Sequence, residues 1–163
     1  MTIGIPEIVR QAEGEIVGKI RLQKIVYLLS RLGYETGFSF EYHHYGPYSR
    51  ELAEKIEEEV DAQVLMALTR RRQSDGVPYI VYRAKEEHSG SNCDARLHEL
   101  LTEMNDCSPT VLELAATIDW LAKIEDVSDW RSELRVRKGA KTSGGRTEKA
   151  LELLGKLGLA PAA

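Results

Sequence analysis

The chain has 163 residues, 42% of them hydrophobic and 29% charged, and a formal net charge of −4. That length suits one domain, with or without a helical extension, and it can bury a core without disulfides or metal. The negative balance does not advertise nucleic-acid binding, and no run approaches the roughly 18 apolar residues of a membrane-spanning helix. The start, Met1-Thr2-Ile3-Gly4-Ile5-Pro6, lacks a basic n-region and a long apolar run, so no secretory signal is expected. Cys93 and Cys107 lack CxxC spacing, which predicts neither a zinc site nor a disulfide framework and favours a reduced cytoplasmic setting.

In chain order, Ile5, Ile8, Val9 and Ala12 follow helical spacing, and Pro6 suits a first turn; a short helix is predicted over 6–13. Gly14 and Gly18 flank a break. A second helix is predicted over 20–32, with Leu22, Ile25, Val26, Leu29 and Leu32 buried and Gly33 ending it. Phe38, Phe40, Tyr42 and His44 alternate with Ser39, Glu41 and His43, the pattern of a strand with one aromatic face. Gly46-Pro47 reads as a turn, and Ser49 caps a helix running to Val60. Residues 61–69 fit either a helical extension or a strand. A hairpin is expected with arms over 68–73 and 79–84 around Ser74-Asp75-Gly76-Val77-Pro78.

His88–Asn92 reads as a linker. Beyond it, Asp94 caps a helix over 95–105, and Ser108-Pro109 opens another over 109–125. That second helix is apolar on most sides, which predicts a central position. A helix over 128–137, a mobile loop over 138–145 and a last helix over 146–157 complete the chain.

Helix, short strand, helix, hairpin is the order of a winged-helix domain, usually a DNA reader. The expected class is α+β, mostly α: a winged-helix-like module over 1–86 and a helical part over 94–158, joined as one unit. The helix in the reading position conflicts with DNA reading. Residues 49–61 hold Arg50 and Lys55 against Glu51, Glu54, Glu57, Glu58, Glu59 and Asp61. Phosphates and guanine edges call for Arg or Lys there. Basic residues cluster elsewhere: Arg70, Arg71 and Arg72 on the hairpin, and Arg131, Arg135, Arg137, Lys138, Lys141, Arg146 and Lys149 further on. The bland reading makes them solvated faces that balance the acidic helices.

Arg21-Leu22-Gln23-Lys24-Ile25-Val26-Tyr27-Leu28-Leu29 followed by Tyr45-Gly46-Pro47-Tyr48-Ser49 resembles the Panacea domain of SocA-like antitoxins and the related YwgA-type uncharacterised bacterial proteins. Leu112-Glu113-Leu114-Ala115-Ala116-Thr117-Ile118 and Ala150-Leu151-Glu152-Leu153-Leu154 extend the likeness to the YwgA type. Panacea members often carry Gly-Pro-Val where this chain has Gly-Pro-Tyr-Ser. The resemblance implies an antitoxin or accessory role through protein contacts and supplies no catalytic residue.

Enzyme signals are absent from the sequence: there is no HExxH, phosphate-cradling glycine loop or GxSxG. His43 and His44 are adjacent on a predicted strand and point to opposite faces. The expectation is therefore a non-catalytic protein-interaction module, without cofactor or metal, binding a basic protein. A toxin and a second copy of the chain are both candidate partners; nucleic-acid binding is expected to be weak or absent, and no membrane association is expected. Tyr48 and Arg50 are the expected contacts, with Glu51, Glu54 and Glu58 steering the partner. Tyrosines supply interface area at low entropy cost; Tyr45 is weighed more as core than as interface. The alternative is a winged-helix transcriptional regulator contacting DNA through Arg70, Arg71 and Arg72.

Overall fold

The computed structural model describes residues 2–85 and 94–162. Cys93 and the linker expected at His88–Asn92 lie outside the described residues. The architecture is α+β and mostly helical. Its elements run α1 (Ile5–Gln11), β1 (Glu15–Val17), α2 (Lys19–Arg31), β2 (Glu41–His43), β3 (Gly46–Tyr48) and α3 (Arg50–Asp61). They continue with β4 (Leu65–Arg71), β5 (Pro78–Ala84), α4 (Ala95–Asn105), α5 (Pro109–Asp119), α6 (Trp130–Lys138) and α7 (Arg146–Leu157).

Helix starts follow local capping chemistry. Ser49 Oγ accepts from the Leu52 amide at 3.1 Å, and Ser108 Oγ from the Val111 amide at 3.2 Å. The Asp94 carboxylate accepts from the Arg96 and Leu97 amides, and that of Asp129 from the Ser132 amide. Each satisfies donors that the first turn leaves open. At the far end of α3, Gln63 takes a φ of 60° and turns the chain into β4, so the ambiguous stretch 61–69 divides between helix end and strand. The predicted helix 109–125 stops at Asp119 as an α-helix and continues as a π-helical turn, Trp120–Ile124.

Three strands form one antiparallel sheet in the order β1-β5-β4. Leu65 stands opposite Ala84 at one end of the hairpin and Arg71 opposite Pro78 at the other. β1 joins the other edge of β5 through Glu15↔Arg83 and Val17↔Val81. It falls in the predicted break between Gly14 and Gly18, and three residues are too few to show alternation. α1 packs against β5, α2 against β1 and α3 against β4.

Two expectations need correction. The strand over 38–44 shrinks to Glu41–His43, and its partner is Gly46–Tyr48, which reads as a turn in the sequence. Gly46 permits this because its φ is +86°. The expected mobile loop over 138–145 begins instead at the end of α6 and carries a 3-10 turn, Gly139–Thr142.

The apolar core is continuous from Ile5 to Leu159. α5 is buried at every position from Val111 to Asp119, as its nearly all-round apolar pattern predicts. α2 packs against it, and α7 covers another side. Tyr27 of α2 donates to Asp119 Oδ2 at 2.6 Å, and Arg31 Nε donates to the same oxygen at 2.9 Å, tying the helices by charge as well. Arg21 on α2 also donates to the Asn105 carbonyl at 3.0 Å and to that of Cys107.

Candidate functional site

The site is built around the Gly46–Ser49 segment. Gln23 holds Ser49 from both sides: its amide donates to the Ser49 carbonyl and its carbonyl accepts from the Ser49 amide, each at 2.9 Å. Lys24 Nζ donates to the Pro47 carbonyl at 2.6 Å. Two consecutive side chains of α2 thus hold the backbone at Pro47 and Ser49. Both are buried, Lys24 to 1% exposure. Beneath them, a Cβ added at Gly46 would lie 2.6 Å from Thr117 Oγ1 of α5. Thr117 Oγ1 donates back to the Glu113 carbonyl.

A charge cluster lies on the same side. The Glu113 carboxylate of α5 is 3% exposed and accepts from Lys138 Nζ at 3.0 Å and Lys141 Nζ at 2.9 Å. Lys138 also donates to the His44 carbonyl at 2.9 Å. Burial pulls the Lys24 ammonium down to about 8; Glu113 opposes the shift, while Lys138 and Lys141 add to it. Two lysines therefore bind one carboxylate, and Lys24 feels its charge without a direct bond to it.

Aromatic rings cover the cluster. Lys141 Nζ stands 4.9 Å from the Tyr45 ring centre, and the Arg137 guanidinium 4.7 Å from that of Tyr42. His43 lies on Tyr48 with ring centres 4.7 Å apart. Tyr45 is 52% exposed, so the weighing toward core is overturned: its ring lies over a lysine at the surface rather than under the turn. Trp130 and Tyr27 are buried. His43 and His44 are both exposed, and no group of three or more metal-ligating side chains is found among the described residues.

The residues expected to meet a partner occupy the outer side of α3 and the strand before it. Arg50, Glu51, Glu54 and Glu58 are exposed, and Tyr48 is half-buried. Arg50 Nε donates to Glu54 Oε1 at 3.3 Å, and Lys55 lies 3.6 Å from Glu58. Both bases on this helix are thus engaged by its own acids. Leu52 and Ile56 anchor the opposite side in the core.

The arginines of the β4–β5 hairpin are exposed and locally paired. Arg70 is 3.9 Å from Glu15, Arg71 donates to the Gly76 carbonyl at 3.0 Å, and Arg72 meets Asp75 at 2.8 Å. Much of the basic stretch 128–149 is used internally. Arg137 binds Glu125 and Glu133, Lys138 and Lys141 bind Glu113, and Arg146 donates to the Lys141 and Ala140 carbonyls.

Sequence reasoning did not assign Gln23, Lys24, Glu113, Lys138 and Lys141 a site. A signal was present: a glutamate inside an all-round apolar helix needs a buried partner, since such residues are almost never fully buried unless paired.

No protein-family model matches the chain. It is similar to the Uncharacterized protein YwgA of Bacillus subtilis (strain 168), with 26% identity over 151 residues, covering 88% of this chain and 89% of that protein. This supports the YwgA-type side of the resemblance.

Proposed function

We propose that the chain is a non-catalytic protein-interaction module, of antitoxin or accessory type, that binds a basic protein. The observation that carries this reading is the outer side of α3: Glu51, Glu54, Glu57, Glu58 and Asp61 are exposed there, at the position from which a winged helix would read DNA. The resemblance to the Panacea domain of SocA-like antitoxins accords with it. Glu51, Glu54 and Glu58 stand three and four residues apart, so they share a helical side and their fields add. Such a field speeds encounter with a basic surface more than it strengthens the final complex. Tyr48 and Arg50, at the head of the helix, are the contact residues of this reading.

A partner recovered from the host supplies the test. The triple variant Glu51→Lys, Glu54→Lys, Glu58→Lys associates at least tenfold more slowly at low salt in a surface-plasmon experiment. An unchanged on-rate sinks the proposal.

The second reading is a winged-helix DNA-binding regulator. The sheet order and the exposed Arg70, Arg71 and Arg72 on the wing favour it. Against it stands repulsion of the duplex by α3, felt within a Debye length of about 8 Å at physiological salt. Fluorescence anisotropy at that salt separates the two: sequence-specific binding in the nanomolar range establishes the regulator.

A further inference from the structure

A cleft of about 190 Å³ lies where α2, β3, α3 and β5 meet. Tyr45, Tyr48 and Tyr82 form much of its wall, Ala53 and Ile56 supply an apolar side from α3, and Lys24 contributes from α2. We propose that this cleft binds a compact aromatic acid, one ring bearing a carboxylate, with the ring held among the tyrosines and the carboxylate on the Lys24 ammonium.

Size sets the ring count. An apolar cavity of roughly 150 Å³ accommodates one benzene ring. The cleft therefore takes a single ring and a small polar group, and falls below the roughly 300 Å³ at which drug-sized ligands begin. The walls suit a flat ring, because aromatic side chains meet one another edge-on or offset with a gain beyond simple burial.

Charge sets the acid. An ammonium carries three N–H donors. Among the described residues Lys24 gives one, to the Pro47 carbonyl. The neighbouring charges are one carboxylate, Glu113, and two further lysines, Lys138 and Lys141. The balance around Lys24 is positive, in a buried place where an anion is held more strongly than in water. Lys19 and Glu57 also line the cleft, are both exposed, and oppose each other in sign. Lys24 therefore decides which charge the cleft prefers. The cleft shares Tyr48 and Glu57 with the partner surface on α3, but its apolar side and Lys24 lie apart from that surface.

The same chemistry belongs to a free aromatic acid and to the C-terminal Phe or Tyr of a polypeptide. The test titrates the full chain, followed by amide NMR shifts, with phenylacetate, with benzylamine, and with an acetylated pentapeptide ending in Phe. Phenylacetate or the peptide perturbs the amides of residues 19–24, 45–57 and 82, while benzylamine binds at least tenfold more weakly. A tighter peptide identifies a polypeptide terminus as the source, and a tighter phenylacetate identifies the free acid. Ala53→Phe fills the cleft and abolishes the shifts. Lys24→Met weakens phenylacetate at least tenfold and removes the preference over benzylamine. Because Lys24 also holds Pro47, the spectrum of the unliganded variant serves as the control for fold. Equal binding of benzylamine, shifts that persist in Ala53→Phe, or no response to either acid at tens of millimolar overturns the proposal.

Discussion

At Gly46 two constraints meet in one residue. Its φ of +86° is costly for any residue with a Cβ, and a Cβ there would stand 2.6 Å from Thr117 Oγ1. Gly46→Ala is expected to lower stability by about 2–6 kcal/mol, the sum of backbone strain and overpacking. Adding Thr117→Ala removes the contact and leaves the strain. Urea unfolding of the single and double variants should show a partial recovery; full recovery would assign the whole cost to the clash. Lys24 gives a second handle at this scale. Its folded pKa of about 8 lies below its ordinary value near 10.4. Between those values the unfolded chain binds more protons, so this group makes stability rise as pH rises from 8 toward 10. Tyr27 acts oppositely at higher pH. Burial, with Asp119 beside it, raises its phenol, so above about 10 the unfolded chain releases a proton that the folded chain keeps, and stability falls. Thermal unfolding of Lys24→Met should lack the rise between pH 8 and 10 and keep the fall above it.

Elements were legible from sequence where a pattern spans many residues. α2, α3, the β4–β5 hairpin and the buried α5 all declare themselves by periodicity and caps. The site was less legible, because its work is done by polar side chains acting across the chain. Gln23 reaches Ser49, and Glu113 reaches Lys138, contacts that no local pattern encodes. Periodicity marks Leu22, Ile25, Val26 and Leu29 as buried, yet α2 is buried continuously from Leu22 through Leu29. The polar positions in that run are satisfied across the chain: Gln23 by Ser49, Lys24 by the Pro47 carbonyl and Tyr27 by Asp119. α3 shows a different conflict. Its last turn carries no basic residue, and acids near a helix C-terminus oppose the helix dipole. Asp61→Lys should therefore raise stability by about 0.3–1 kcal/mol, read as a higher unfolding midpoint at low salt. The gain should shrink at high salt, since the site is exposed. A loss of stability at both salts would show that Asp61 serves the fold.

For the whole molecule, the question is whether the N-terminal part, which carries the strands, and the C-terminal helical part fold separately. The boundary between them is crossed by apolar packing of α2 on α5, by Tyr27 and Arg31 on Asp119, and by Arg21 on carbonyls at the end of α4. Cutting the chain would expose one side of α5, whose residues from Val111 to Asp119 are all buried, and would leave Asp119 without two donors. It would also strip Gly46 and Pro47 of the surface on which β3 rests. Each fragment would then show water a large apolar face, at roughly 25 cal/mol per Å² of newly exposed surface. Marginal domains do not absorb such a loss, because native stability is only about 5–15 kcal/mol. Fragments 1–90 and 91–163 are therefore expected not to unfold with two sharp transitions of their own. Mixing them should restore native-like amide dispersion if the interface is strong enough to reassemble the parts. Calorimetry on each piece alone decides the point: two cooperative transitions would mean that the halves are independent domains and that the latch from Gln23 and Lys24 holds β3 without help from α5.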